Sequence, residues 1–114
     1  MEPLAQLQAW YAARCDGDWE HRHGITIGTL DNPGWRVTID LAGTPLEGQP
    51  FAQVAEGVGP DAHPDSPRWL RCWVEGGRWH AATDERQLAH VLRLFLEWAG
   101  ADAEFGAAAD DGGG

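Results

Sequence analysis

The sequence predicts an α+β fold: a four-stranded, largely antiparallel sheet made of two hairpins, with N- and C-terminal helices packed on one face. Three observations predict it. Apolar residues recur at helical spacing at two places, residues 3–14 and 84–99. Between them, two segments alternate apolar and polar residues on either side of glycine-containing turns. The order helix, hairpin, long loop, hairpin, helix then leaves one sheet face for both helices and one face bare.

The first helix is expected over 3–14. Pro3 suits the first helical position, where a missing N–H costs nothing. Leu4, Leu7, Trp10 (or Tyr11) and Arg14 follow at helical spacing, and Gly17 with its neighbouring aspartates ends the element. Residues 15–23, CDGDWEHRH, read as a polar loop.

The first hairpin pairs Gly24–Leu30 with Trp35–Ala42. If Leu30 paired with Trp35, Ile25 and Ile27 would face away from Val37 and Ile39. Pairing Thr29 with Trp35 instead brings all four to one face. Burial favours that register, since a slip of one residue reverses every side chain. The DNPG segment (Asn32, Pro33 and Gly34, followed by Trp35) is therefore a structural motif that must hold an odd-length loop, or a bulge at Gly34.

Residues 43–68 hold five of the seven prolines and form a long connection, anchored by Leu46, Phe51 and Val54. In the second hairpin, Trp69–Glu75 and Arg78–Ala82 flank Gly76-Gly77, a two-residue turn suited to positive φ. Leu70, Cys72, Val74, Trp79 and Ala81 share the inner face. Arg71, Trp73, Glu75, Arg78 and His80 share the outer one. The last helix carries Leu88, Val91, Leu92, Phe95 and Trp98 as its stripe. Asp84 with Gln87 is a capping box, and Gly100 is the stop. The whole reads as a single domain over 1–103, with a disordered polar tail over 104–114.

Composition narrows the function. A chain of 114 residues, 43% hydrophobic, is long enough for one core. No apolar run approaches the roughly 20 residues a bilayer requires. MEPLAQLQAW has no basic region ahead of an apolar stretch, so the expected compartment is the cytoplasm, with Cys15 and Cys72 reduced. The net charge is −10, and all eight basic residues are arginine. That balance repels nucleic acid and anionic membranes and favours a basic protein partner.

Few residues suggest catalysis. The one serine, Ser66, lies in the proline-rich connection, and neither cysteine belongs to a recognisable nucleophile motif. No cofactor is indicated. Asp16, Asp18, Glu20, His21 and His23 could form a metal site, which makes a small metal-binding protein or metal-dependent enzyme the alternative reading. The match to a calcium loop lacks the central glycine and closing glutamate, and no zinc spacing is present. A turn whose carboxylates serve nearby N–H groups explains the same residues.

Seven tryptophans exceed what the core stripes use. Trp10, Trp79 and Trp98 fit them and Trp35 fits their edge, whereas Trp19, Trp69 and Trp73 leave open whether they pack or face solvent. Trp is enriched at binding hot spots. Asp16, Asp18, Trp19 and Glu20 therefore form the first candidate binding surface, and Arg71, Trp73 and His80 the second.

The motifs W-Y-x-x-x-C-D-G-D-W-E-H and L-D-N-P-G-W-x-V, with the closing LAHVLRLFLEWA, resemble the immunity protein 53 family over most of residues 4–99. Members are small bacterial proteins encoded beside polymorphic toxins. The resemblance implies a non-enzymatic antidote that binds a cognate toxin domain. The chain itself is expected to be a monomer or a weak dimer. It assigns no contact residues.

Overall fold

A computed structural model describes residues 2–61 and 63–100. The elements run α1 (Pro3–Arg14), α2 (Trp19–Arg22), β1 (Ile25–Leu30), β2 (Gly34–Asp40), β3 (Val54–Glu56), β4 (Leu70–Glu75), β5 (Arg78–Thr83) and α3 (Leu88–Ala99). The tail expected over 104–114 lies outside the described residues.

The strands form one antiparallel sheet in the order β1-β2-β5-β4-β3. It has five strands, not the four expected. The extra strand, β3, lies in the long connection, where Val54 pairs with Cys72 and Glu56 with Leu70. A three-residue strand among prolines and glycines has no alternation to announce it. It forms because Val54 meets the buried Cys72 on a strand whose edge would otherwise be bare.

The register of the first hairpin follows the burial argument. Thr29 pairs with Trp35, Ile27 with Val37 and Ile25 with Ile39, leaving a three-residue loop at 31–33. Gly34 does not bulge; it pairs with Leu30. Its importance is close approach, because a Cβ there would overlap the carbonyl oxygen of Thr83 and come within 3.3 Å of Leu30 Cδ1. Gly34→Ala should therefore push β2 away from β5 and destabilise the protein by roughly 1–3 kcal/mol, measured by urea denaturation. In the second hairpin, Gly76 and Gly77 take φ of 63° and 75°, the left-handed pair a tight two-residue turn requires.

Leu7 and Trp10 of α1 and Val91, Leu92, Phe95 and Leu96 of α3 cover Val37, Ile39, Leu70, Cys72, Trp79 and Ala81. Trp10 and Trp79 each set their rings 5.1 Å from Phe95. Leu46, Phe51 and Val54 bring the long connection onto this core, and Trp98 Nε1 fixes it by donating to Pro50 O at 2.9 Å.

α3 begins at Leu88, four residues later than expected. Asp84 does not cap it, because the carboxylate is used elsewhere: it accepts from the backbone N–H of Trp69 (2.9 Å) and Arg86 (2.8 Å) and from Gln87 Nε2 (2.7 Å). The expected Asp84–Gln87 pair is present, but it joins β4 to the approach to α3. Gly100 ends the helix in the left-handed region.

Candidate functional site

Two groups of residues singled out by the sequence are each brought together, on different parts of the molecule. The first is the turn between α1 and β1. Asp16 Oδ1 accepts from the N–H of Asp18 and of Trp19, both at 2.9 Å. Glu20 reaches back to the N–H of Asp16 (3.0 Å) and Gly17 (2.8 Å). These bonds close the turn from which α2 starts, where only a loop was expected; Asp18, the N-cap of α2, makes no side-chain cap bond itself. The Trp19 N–H, and then that of Asp18, hold the Asp16 carboxyl below the usual carboxylate range. Asp18 pairs with Arg22 one turn on.

The carboxylates named as possible metal ligands are thus engaged with amides and an arginine. His21 is exposed at the surface of α2, and His23 Nδ1 lies 3.8 Å from Asp40 Oδ2. Among the described residues, no group of three or more His, Cys, Asp or Glu side chains is placed to hold a metal ion.

Trp19 is the hinge of this turn and is only 6% exposed. Its Nε1 donates to Ala42 O at 2.7 Å. Its ring meets Trp10 edge-on at 6.4 Å, Tyr11 at 6.1 Å and His23 at 5.7 Å. The indole mounts the acidic turn on the core, leaving Asp16 and Asp18 in solvent. Trp69 is buried as well, whereas Trp73 is half-buried.

The second group lies on the sheet face that carries no helix. Cross-strand pairing aligns Trp73, His80, Thr38 and Thr26 in one row, and Arg71, Ala82, Arg36 and Gly28 in the next. The Trp73 and His80 rings stack at 5.2 Å and 15°, and the Arg71 guanidinium sits 4.4 Å from the Trp73 ring. His80 Nε2 lies 3.2 Å from Glu75 O, which can only accept, while its Nδ1 is buried without a partner among the described residues. Arg71, Trp73 and His80 thus form one column, as their shared outer face required. Asp40, which binds Arg78 at 2.7 Å and Gly24 N at 2.9 Å, ties this face to the start of β1.

Of the two cysteines, Cys15 is exposed with its Sγ donating to Tyr11 O at 3.3 Å, and Cys72 is buried. Burial, and then the charge of Glu56, push the Cys72 thiol up to about 12, so it stays protonated. Ser66 Oγ accepts from Arg68 N at 3.2 Å.

Sequence reasoning missed one feature of the α1–β1 side. A groove of about 310 Å³ runs between Leu7, Gln8 and Tyr11 of α1 and Gly24 and Ile25. Leu4, Tyr11 and Ile27, three of the four exposed large hydrophobics among the described residues, belong to the same two elements. The apolar stripe of α1 signalled it, since Leu4 and Tyr11 lie on its flank and not on its buried line.

Among the described residues, no helix is long and apolar enough to cross a membrane. A sequence model of the family described as Immunity protein 53 matches residues 4–100, all three helices and five strands apart from the first residue of α1. No curated protein and no solved structure matches the chain.

Proposed function

The chain belongs to the immunity protein 53 family, and from that premise we propose that it is a non-catalytic antidote that binds and neutralises a cognate toxin domain in the cytoplasm. The observation that carries this reading is the extent of the family match, which spans nearly the whole described fold. The chemistry of the site agrees with it. The Asp16 and Glu20 carboxylates accept from nearby backbone amides, Asp18 pairs with Arg22, His80 stacks on Trp73, and the buried Cys72 thiol is held protonated.

The proposed toxin domain is basic. A net charge of −10 steers a basic partner into encounter and raises its on-rate, and it disfavours nucleic acid and anionic membranes. The groups proposed to meet it are Asp16, Asp18 and Glu20 on the mount that Trp19 provides, with Arg71, Trp73 and His80 as a second contact surface. The protein acts as a monomer or a weak dimer.

Co-expression tests the proposal. Cells producing the toxin domain encoded beside this gene should grow when this chain is produced with it, and the two should co-purify. Continued growth arrest with both proteins present at normal levels counts against neutralisation.

A further inference from the structure

We propose that the toxin docks by adding an extended, basic segment of its own to the free edge of β1, with its apolar side chains lodged in the groove between α1 and β1. The proposal rests on the neutralisation reading and assigns it a surface and a partner chemistry.

The edge is open in a specific way. Asp40 N donates to Gly24 O at 3.1 Å, which makes Gly24 and Asp40 a hydrogen-bonded pair. Antiparallel ladders alternate such pairs, so Gly24, Thr26, Gly28 and Leu30 turn their backbone groups toward β2. Ile25, Ile27 and Thr29 therefore turn N–H and C=O outward, and among the described residues no strand lies beyond them. That is a ladder of three donors and three acceptors ready for another chain.

Sheet edges are ordinarily guarded by charge, proline, a bulge or brevity. The opposite edge is guarded: β3 has three residues and carries Glu56. β1 has six residues, ITIGTL, with no charge, no proline and uninterrupted pairing. Beside it, Ile27 is 37% exposed, Tyr11 38% and Leu4 52%. A free edge with an apolar groove alongside is the arrangement that receives an added strand: the backbone supplies affinity and alternate side chains supply selectivity.

Charge complementarity selects the occupant. Glu20 precedes β1 and Asp31 follows it, Asp16 and Asp18 stand on the turn that feeds it, and Glu2 caps α1. An added strand with apolar residues toward Ile25 and Ile27 and arginine or lysine at its ends satisfies both groove and rim. A second copy of this chain would instead place the same acidic rim against itself.

The test uses the full chain and the toxin domain encoded beside it, inactivated by mutation. Thr29→Pro removes an outward N–H and leaves the β1–β2 ladder intact. Ile27→Lys puts charge on the exposed apolar face of β1, next to Ile25 and the groove, without changing the backbone. Each should weaken binding by on the order of tenfold or more while circular dichroism and melting temperature stay near wild type. Amide exchange at Ile25, Ile27 and Thr29 should slow on complex formation. If Thr29→Pro misfolds, Ile27→Lys and the exchange data decide. Wild-type affinity in the folded variants, or unchanged exchange at those three amides, overturns the edge proposal and leaves neutralisation standing. No binding by the wild-type chain removes both. A dimer of the free protein that Thr29→Pro dissociates assigns the edge to a second copy and overturns the proposal.

Discussion

Trp19→Ala is expected to destabilise the fold by about 3–5 kcal/mol, the range for emptying a buried aromatic site. Three losses combine. The ring leaves a void beside Trp10, Tyr11 and His23. Ala42 O loses its 2.7 Å donor. The α2 turn loses the only buried side chain that ties it to the core. For a domain of this size the melting temperature should fall on the order of 15 °C. Trp19→Phe separates the contributions: it keeps most of the ring and should lose roughly 1–2 kcal/mol, chiefly the hydrogen bond. A melting temperature for Trp19→Ala within a degree or two of wild type would show that the indole is not structural. The result also governs how binding is tested. A Trp19 variant that fails to neutralise toxin reports a damaged fold. Substitutions at Asp18, whose exposed side chain pairs with Arg22, address the acidic surface directly.

The residues that sequence reasoning placed correctly are those where burial alone decides. Ile25, Ile27, Val37 and Ile39 admit one register that puts them together, and the structure adopts it. The second hairpin is fixed twice, by Gly76-Gly77 and by the alternation from Leu70 to Ala81. What escaped was decided by single polar groups or by tertiary pairing. α2 follows a turn in which Asp16 accepts from the N–H of Asp18 and Trp19, and Glu20 from those of Asp16 and Gly17; carboxylates serving nearby N–H groups were expected there, a helical turn was not. β3 depends on Cys72 offering Val54 a partner, which no local pattern encodes. The late start of α3 depends on Asp84 preferring the N–H of Trp69, fifteen residues away, to the helix immediately after it.

The candidate site was legible in the same uneven way. The outer face of the second hairpin brought Arg71, Trp73 and His80 together, because strand alternation alone places them there. Whether a tryptophan in a polar loop packs or projects is set by what lies beneath it. For Trp19 that is Trp10 and the carbonyl of Ala42, contributed by two separate segments. The groove beside β1 needs the relative placement of a helix and a strand, which spacing within either element cannot supply.

Asp84→Asn should be the most pH-revealing substitution in the chain. The carboxylate is 3% exposed, yet it is surrounded by donors: Trp69 N, Arg86 N and Gln87 Nε2. Burial pushes its pKa up, but the N–H groups of Arg86 and Trp69 and the Gln87 amide outweigh it, so the folded-state value is lowered. A lowered folded value means that the ionised form contributes stability above the unfolded-state pKa, about 3.9, and that this contribution is lost as pH falls through the folded value. Near neutral pH, Asn supplies one acceptor where the carboxylate had two, and sets an N–H₂ against a donor. Hydrogen bonds to a charged group contribute about 1.5–3 kcal/mol each, so the variant should be less stable by roughly 3 kcal/mol. The lost contacts join Trp69, just before β4, to the segment between β5 and α3, where Thr83 Oγ1 and Gln87 Nε2 also converge on Trp69 O. Urea denaturation at pH 7 and at pH 3 reads the difference. The gap between wild type and variant should narrow at the lower pH, because pH 3 lies below the unfolded-state pKa of about 3.9, where the unfolded chain binds the proton that the folded carboxylate resists. An equal gap at both values would mean that the charge of Asp84 does not hold this junction, and that its shape alone does.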